Sequence, residues 1–267
     1  MISDANSETR RRDYISYSAI STFRSCPLKY KFRYIDGLDA DTVLSSLIFG
    51  TAIHAVIEAY FQALLIGEPL PDLDALMATY RQCWHANQTE QIQFGSSESA
   101  ESLQQLAQRM LTKFLASELV QPEGRIIAIE EELRGELIPG VPDLLGRVDL
   151  LLETDEHVII QDFKTARSAW NAEQAEESAE QLLLYGDLVR RLVPGKELKL
   201  RFAVITKTKE PKVQVLDAEF DAERLERTKA VFRAVWSAIQ AGNFYPSPSP
   251  MTCSGCGYRS HCTAWGG

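Results

Sequence analysis

Cysteine is scarce and badly placed for a disulfide framework: the 267 residues hold five, an odd number, and four of them fall toward the two ends of the chain. That pattern excludes a small secreted scaffold and makes a metal or cluster ligand set the first reading. Positive charge is also short, 28 Lys and Arg against 37 Asp and Glu for a net −9, so any nucleic-acid contact must be local. No apolar run reads as approaching the roughly 20 residues of a bilayer span. Arg10-Arg11-Arg12 leads into Asp13 and Tyr14 instead of an apolar signal region, so the expected location is the cytoplasm, without a membrane partner. A Gly-x4-Gly-Lys loop is missing, which leaves any duplex unwinding to a partner. Repeats at solenoid periods are absent too. What is there, 45% hydrophobic and 24% charged residues, suits a globular chain with one large core or a core plus a subdomain.

Residues 1–13 are polar and read as a flexible N-terminus. From Ser16 or Ser18, both suitable N-caps, apolar residues recur at helical spacing through Tyr34, interrupted by Pro27, which predicts two short helices meeting at Cys26-Pro27. Further helices are predicted over Phe49–Leu65, closed by Gly67, and near 72–90 and 98–119, making 14–121 a helical region. After Pro122-Glu123-Gly124 the pattern turns to strands: Ile126–Leu133, then a hairpin of Gly146–Glu153 and His157–Thr165. A long helix from about Ala172 to Leu192, strands near 198–206 and 212–219 and a helix over Asp221–Ala241 complete an α/β core spanning 122–241. The final segment, 242–267, opens with the stiff, Pro-rich Tyr245–Pro250 and delivers Cys253, Cys256 and Cys262. All four regions are expected to form one compact unit.

A hairpin turn centred between Asp155 and Glu156 pairs residues whose numbers sum to 311, which sets Asp149 opposite Asp162. Opposed Cβ atoms lie roughly 4.5–5.5 Å apart, near enough for two carboxylates to share a hard cation. Lys164 lies on the same face as Asp162, where an ammonium relieves part of the repulsion. Two readings stand for these residues, a polar strand end with a cross-strand charge pair or a site for Mg²⁺ or Mn²⁺. Gln181 and Tyr185, four apart, share a helix face. His54, in Gly50-x3-His54, is either a boundary histidine or a ligand. Cys253-x2-Cys256-x5-Cys262 with Cys26 suits a [4Fe-4S] cluster or Zn²⁺ that ties the chain ends together, with His261 keeping zinc open. Cys83, on an amphipathic stretch, reads as a small buried hydrophobe.

Taken in order along nearly the whole chain, these pieces resemble the PD-(D/E)XK nuclease superfamily, in particular its RecB-family exonuclease branch with an iron–sulfur cluster, as in AddB-type nuclease domains and CRISPR-associated relatives. The resemblance rests on Tyr17-Ser-Ala-Ile-Ser-Thr-Phe-Arg-Ser-Cys26-Pro-Leu-Lys-Tyr30, Gly50-x3-His54, Gly146-Arg-Val-Asp149, Asp162-Phe-Lys164, Gln181-x3-Tyr185 and the last three cysteines. It implies an α/β fold with a restriction-endonuclease-like core: a central mixed sheet flanked by helices, a helical N-terminal region and a C-terminal iron–sulfur staple. It implies His54, Asp149, Asp162 and the Phe163 carbonyl as ligands of the divalent ion. It implies Lys164 as the group that readies the attacking water, and Gln181 and Tyr185 as positioning residues. Cys26, Cys253, Cys256 and Cys262 match the cluster ligands. Pro142-Asp143 is a literal Pro-Asp pair, but Asp143 does not face Asp162 in this register, so Asp149 is the expected ligand.

The activity so implied is metal-dependent hydrolysis of DNA, as an exonuclease preferring single-stranded or end-containing substrates in repair, recombination or defence. A CRISPR adaptation nuclease that trims spacer precursors beside integrase partners is one alternative, and a non-catalytic DNA-binding scaffold is another. A helicase or integrase protein is the expected partner. Local basic surface is sought in Arg24, Lys29, Lys31 and Arg33, interleaved with Phe23, Tyr30 and Tyr34, and in Arg167, Lys207, Lys209 and Lys212. The aromatics of the first group serve either base stacking or core packing.

Overall fold

A computed structural model describes residues 13–88 and 91–266, so the flexible segment expected over 1–13 lies outside the described residues, Asp13 excepted. A short strand β1 (Tyr14–Ile15) leads to α1 (Tyr17–Ser25), which Ser16 caps by accepting the Ala19 N–H. Cys26 ends α1 in an extended conformation and Pro27 opens α2 (Pro27–Tyr30) at the position where its missing N–H costs nothing. The two short helices therefore meet at Cys26-Pro27, as their spacing predicts. After β2 (Val43–Leu44) comes α3 (Ser45–Ile66), closed by Gly67 at φ 72°. It is followed by α4 (Leu73–Ala86), β3 (Ile92–Gln93), which pairs with β2, and α5 (Ala100–Leu115).

By length and composition α3 is one helix, among the described residues, that could cross a membrane. That corrects the expectation that no apolar run approaches such a length. The composition has a packing cause: Phe49, Ala52, Ile53, Val56, Ile57, Tyr60 and Phe61 are all buried against α4, α5 and the sheet.

Strands β4 (Arg125–Gly135), β5 (Asp143–Glu153), β6 (His157–Ala166), β7 (Glu197–Thr206) and β8 (Val213–Ala218) form, with β1, a six-stranded mixed sheet. The pairs β4–β5, β5–β6 and β7–β8 are antiparallel, while β6–β7 and β1–β5 are parallel. Both faces are covered, and Val158, Ile159 and Ile160 of β6 are accordingly buried whichever face they point to. One face carries α1, α6 (Ala172–Ser178), α7 (Glu180–Leu192) and α8 (Ala222–Gln240), and the other carries α3, α4 and α5. This is the restriction-endonuclease-like α/β core that the resemblance implies.

The single helix expected over Ala172–Leu192 is two helices, broken at Ala179, whose N–H bonds to the Glu176 carbonyl. The break leaves the Glu176 carboxylate to accept from the Glu219 N–H at 2.8 Å and from Arg224 at 2.5 Å, contacts that seat α6 on β8 and α8. Two short helices, α9 (Pro250–Cys253) and α10 (Arg259–Ala264), close the chain beside α2.

Candidate active site

The hairpin register is the predicted one: Leu151 faces Ile160 and the ladder's last pair is Leu150 with Gln161, numbers again summing to 311. Beyond that pair β5 and β6 separate. On the same edge of β5, β1 pairs only with Asp143 and Leu144, and β4 occupies the opposite edge throughout. Residues 145–149 therefore face a notch in the sheet, between β1 and β6. Asp149 closes one side of it, where its Oδ2 accepts the Phe163 N–H at 2.7 Å in place of a ladder carbonyl.

Three carboxylates and an imidazole converge on the notch. His54, from α3, holds Nδ1 at 3.5 Å from Asp149 Oδ2. Ligand atoms of His54, Glu130 and Asp149 all lie within 4.8 Å of one another, as one ion would require. Asp162 stands beside this trio with Lys164, whose Nζ is 2.6 Å from its Oδ2. The Asp162 side chain is only 8% exposed. Among the described residues its Oδ2 has no hydrogen-bond partner, the ammonium contact apart. The Phe163 ring turns to the opposite face and packs on Phe61 at 5.7 Å.

Burial is the main reason Asp149 is pushed up to about 6, with Asp162 adding to it and His54, the Phe163 N–H and Lys164 opposing. Burial likewise pushes Glu130 up to about 7, reinforced by Asp149 and by Glu58, one turn beyond His54 on α3. Burial works against the charge on Lys164, yet the adjacent Asp162 outweighs it and the pKa is raised. Such crowding of carboxylates without a counter-ion is costly and is what a divalent cation would relieve.

Glu130 is the residue that sequence reasoning missed. Its neighbours pair as Ile129 with Leu150 and Glu131 with Val148, which places it level with Asp149. A bulge at Ile127 shifts the register of β4, and Glu130 adopts φ 50°, a left-handed conformation rare for a side-chain-bearing residue. Both features turn its carboxylate in a direction that strict alternation does not foresee.

Gln181 and Tyr185 lie on one face of α7, and the Gln181 Nε2 donates to the Tyr185 hydroxyl at 3.0 Å. The Tyr185 ring lies directly on Gly146, where an added Cβ would come within 2.2 Å of Cε1. Gly146 is therefore a close-approach glycine. Gly146→Ala is expected to push the ring off β5, lower stability by about 1–3 kcal/mol and slow cleavage. Unchanged melting and unchanged rate would show that the ring is free to move.

Cys26, Cys253, Cys256 and Cys262 line one cavity of about 40 Å³ together with Leu28, Phe32 and Tyr258. The chain ends are joined there by protein contacts as well, including the Leu28 N–H to the Tyr245 carbonyl at 3.0 Å. The sulfurs are not gathered as a ready ligand set: among the described residues only His54, Glu130 and Asp149 meet the spacing for one ion. Burial, then the neighbouring thiols, raises the pKa of Cys262. Cys83, on α4, is half-buried rather than buried and packs against the rim of the core.

Of the alternatives for the first basic-aromatic group, packing is what the structure displays. Phe23 and Tyr30 are buried, edge to face at 5.5 Å, and Tyr30 stacks on Phe244. Arg24 is paired with Glu180, Lys31 with Asp36, and Arg33 lies over the Tyr34 ring. Asp143, at the far end of β5, is held by Arg134 at 3.0 Å and stays out of the notch.

No curated protein matches the chain. Among solved structures, a candidate exonuclease from Eubacterium rectale is similar over 94% of this chain and 88% of its own, at 14% identity and a TM-score of 0.55, which speaks for the fold alone. The structure of SSO0001 covers 92% of this chain and 95% of its own at 13% identity, with a TM-score of 0.37 that carries no argument. A family model described as the PD-(D/E)XK nuclease superfamily matches residues 14–263, almost the whole chain. The protein belongs to the PD-(D/E)XK nuclease superfamily and is a phosphodiesterase of that family.

Proposed function

We propose that the chain is a Mg²⁺- or Mn²⁺-dependent DNA exonuclease that prefers single strands or free ends. The observation that carries this reading is the notch between β1 and β6, where His54, Glu130, Asp149 and Asp162 converge beside Lys164. The donor set fits a hard cation: oxygen-rich, with an imidazole and one buried carboxylate oxygen, Asp162 Oδ2, whose one polar contact among the described residues is the Lys164 ammonium. These four side chains and the Phe163 carbonyl would hold it. When bound, such an ion polarises a phosphate oxygen and lowers the pKa of a water. Lys164, fixed by Asp162, stands where it can orient that water and take or lend a proton at Nζ. The Gln181–Tyr185 pair, locked onto Gly146, closes the wall of the notch next to Lys164 and keeps both substrate phosphate and amine in place. Cleaved ends are expected to carry a 5′-phosphate.

The direct test uses end-labelled linear and covalently closed circular single strands with and without Mn²⁺. The expected result is release of labelled mononucleotides or short fragments from the linear strand, only with metal, and an intact circle. Nicking of the circle would make the enzyme an endonuclease, and no cleavage of either would leave a scaffold.

The [4Fe-4S] cluster belongs to the same proposal and is supported by the shared cavity of Cys26, Cys253, Cys256 and Cys262 at the junction of the chain ends. Protein purified without oxygen is expected to be brown and to hold about four irons. A colourless protein with stoichiometric zinc would reject the cluster.

A further inference from the structure

About half of the described basic side chains of this acidic protein are engaged by carboxylates, among them Arg134, Arg201, Arg224, Lys196 and Lys229, all with acidic partners within 3.0 Å. Six of the others belong to one stretch of surface. Arg167, just past the end of β6, and Lys207, just past the end of β7, lie next to each other, and the Lys207 N–H donates to the Ala166 carbonyl at 2.6 Å. Lys209 and Lys212 follow in the β7–β8 turn and share a cavity of about 440 Å³ with Arg109 and Lys113 of α5. None of the six enters an ion pair or side-chain hydrogen bond among the described residues. The carboxylates nearby are Glu210, on the cavity wall, and Glu98, which is held by the Ser45 hydroxyl at 2.7 Å.

Unpaired like charges repel, and the arrangement has features that work against the folded chain alone. Arg109 and Lys113 are four apart on α5, a spacing at which like charges weaken a helix. Burial, then the charge of Arg167, lowers the pKa of Lys207. The cavity, about 440 Å³, falls within the size range of small-ligand sites, which suits a nucleotide unit. The Arg167 end of the strip lies toward the notch: Arg167 is three residues beyond Lys164 along the chain leaving β6, about 10 Å at strand rise.

The geometry points to this strip, from Arg167 and Lys207 through Lys209 and Lys212 to Arg109 and Lys113, as the track for the phosphodiester backbone of single-stranded DNA on its way to or from the notch. The inference rests on the nuclease reading and adds the direction in which the strand runs, over the β7–β8 turn and along α5. Cations spaced along a groove bind a polyanion by releasing its counterions, independent of base sequence.

Binding of a fluorescent 20-nucleotide deoxythymidine strand, measured by anisotropy without divalent metal across a series of salt concentrations, tests the track separately from cleavage. Lys209→Gln with Lys212→Gln, or Arg109→Gln with Lys113→Gln, is expected to weaken binding. The slope of log K against log salt should fall by about 1.4, at about 0.7 per lost contact on a single strand. Arg81→Gln with Arg233→Gln removes the same charge from exposed positions elsewhere, and its slope should stay at the wild-type value. Equal slopes in all variants, or equal losses in the Arg81/Arg233 control, overturn the track. Hydrolysis of a dinucleotide with Mn²⁺ should be unchanged in the Arg81/Arg233 control, whose positions lie outside both the notch and the track. Absence of that hydrolysis in the wild type defeats the nuclease reading, while the binding series still decides the track.

Discussion

Lys164→Ala is expected to slow Mn²⁺-dependent cleavage of labelled single-stranded DNA by about 10²–10⁴-fold, the range for losing a positioned proton-transfer group, while Mn²⁺ still binds. The two effects separate because of where the amine stands. Its Nζ is 2.6 Å from Asp162 and its charge helps hold Asp149 ionised. Removing it leaves the carboxylates more crowded, which raises their affinity for a cation and does nothing to weaken it. A drop in rate with unchanged or tighter Mn²⁺ binding therefore marks Lys164 as acting on the water or phosphate. Lys164→Arg keeps the charge but cannot give up its proton near neutral pH. Full activity in the arginine variant would reduce the role to charge alone, and full activity in the alanine variant would remove Lys164 from the chemistry altogether. In the ion-free site the amine's pKa is raised, because Asp162 outweighs burial. Its work as a base thus depends on a cation drawing charge away from Asp162.

Much of this site is legible in the sequence because a hairpin obeys simple arithmetic. Two apolar runs about a four-residue turn fix one sum, and that sum survives to Leu150 and Gln161, which puts Asp149 and Asp162 at the opening. Gln181 and Tyr185 are equally readable from helical spacing. Glu130 was hidden because a bulge and a left-handed residue each break the alternation on which strand reading depends, and Glu130-Glu131-Glu132 offers no way to choose among three carboxylates. The division of Ala172–Leu192 was hidden for another reason: no Gly or Pro marks Ala179, and the break is set by tertiary contacts of Glu176. The long apolar α3 shows the converse limit, since composition does not tell a core helix from a spanning one and only its packing against α4 and α5 does. The layout of Cys26 against Cys253, Cys256 and Cys262 points to a meeting of the two segments, and all four line one cavity.

Without added metal the protein is expected to melt at a higher temperature at pH 5 than at pH 8, and saturating Mn²⁺ is expected to shrink that difference. Asp149 is pushed up from 3.8 to about 6 and Glu130 from 4.5 to about 7 in the folded chain. Between those limits the folded state holds protons that the unfolded state has released. The resulting stability is fully present below about pH 4 and is lost as pH rises through 6 to 7. For Asp149 alone, with a side chain 15% exposed, the rise from 3.8 to about 6 corresponds to roughly 3 kcal/mol. At about 2–4 °C per kcal/mol for a chain of this size, that is about 6–12 °C over the full range, of which the step from pH 5 to pH 8 covers roughly half. A divalent ion competes for the same oxygens. At a hundredfold excess over its dissociation constant it contributes about 2.7 kcal/mol, available when the carboxylates are ionised and lost as they take up protons. Asp149→Asn isolates the cause: without metal it should melt above the wild type at pH 8, show a flatter pH profile and respond little to Mn²⁺. Melting curves that shift in parallel with pH, with and without Mn²⁺, would mean that the crowded carboxylates of the notch do not bind the ion, and the catalytic reading of His54, Glu130 and Asp149 would fall with them.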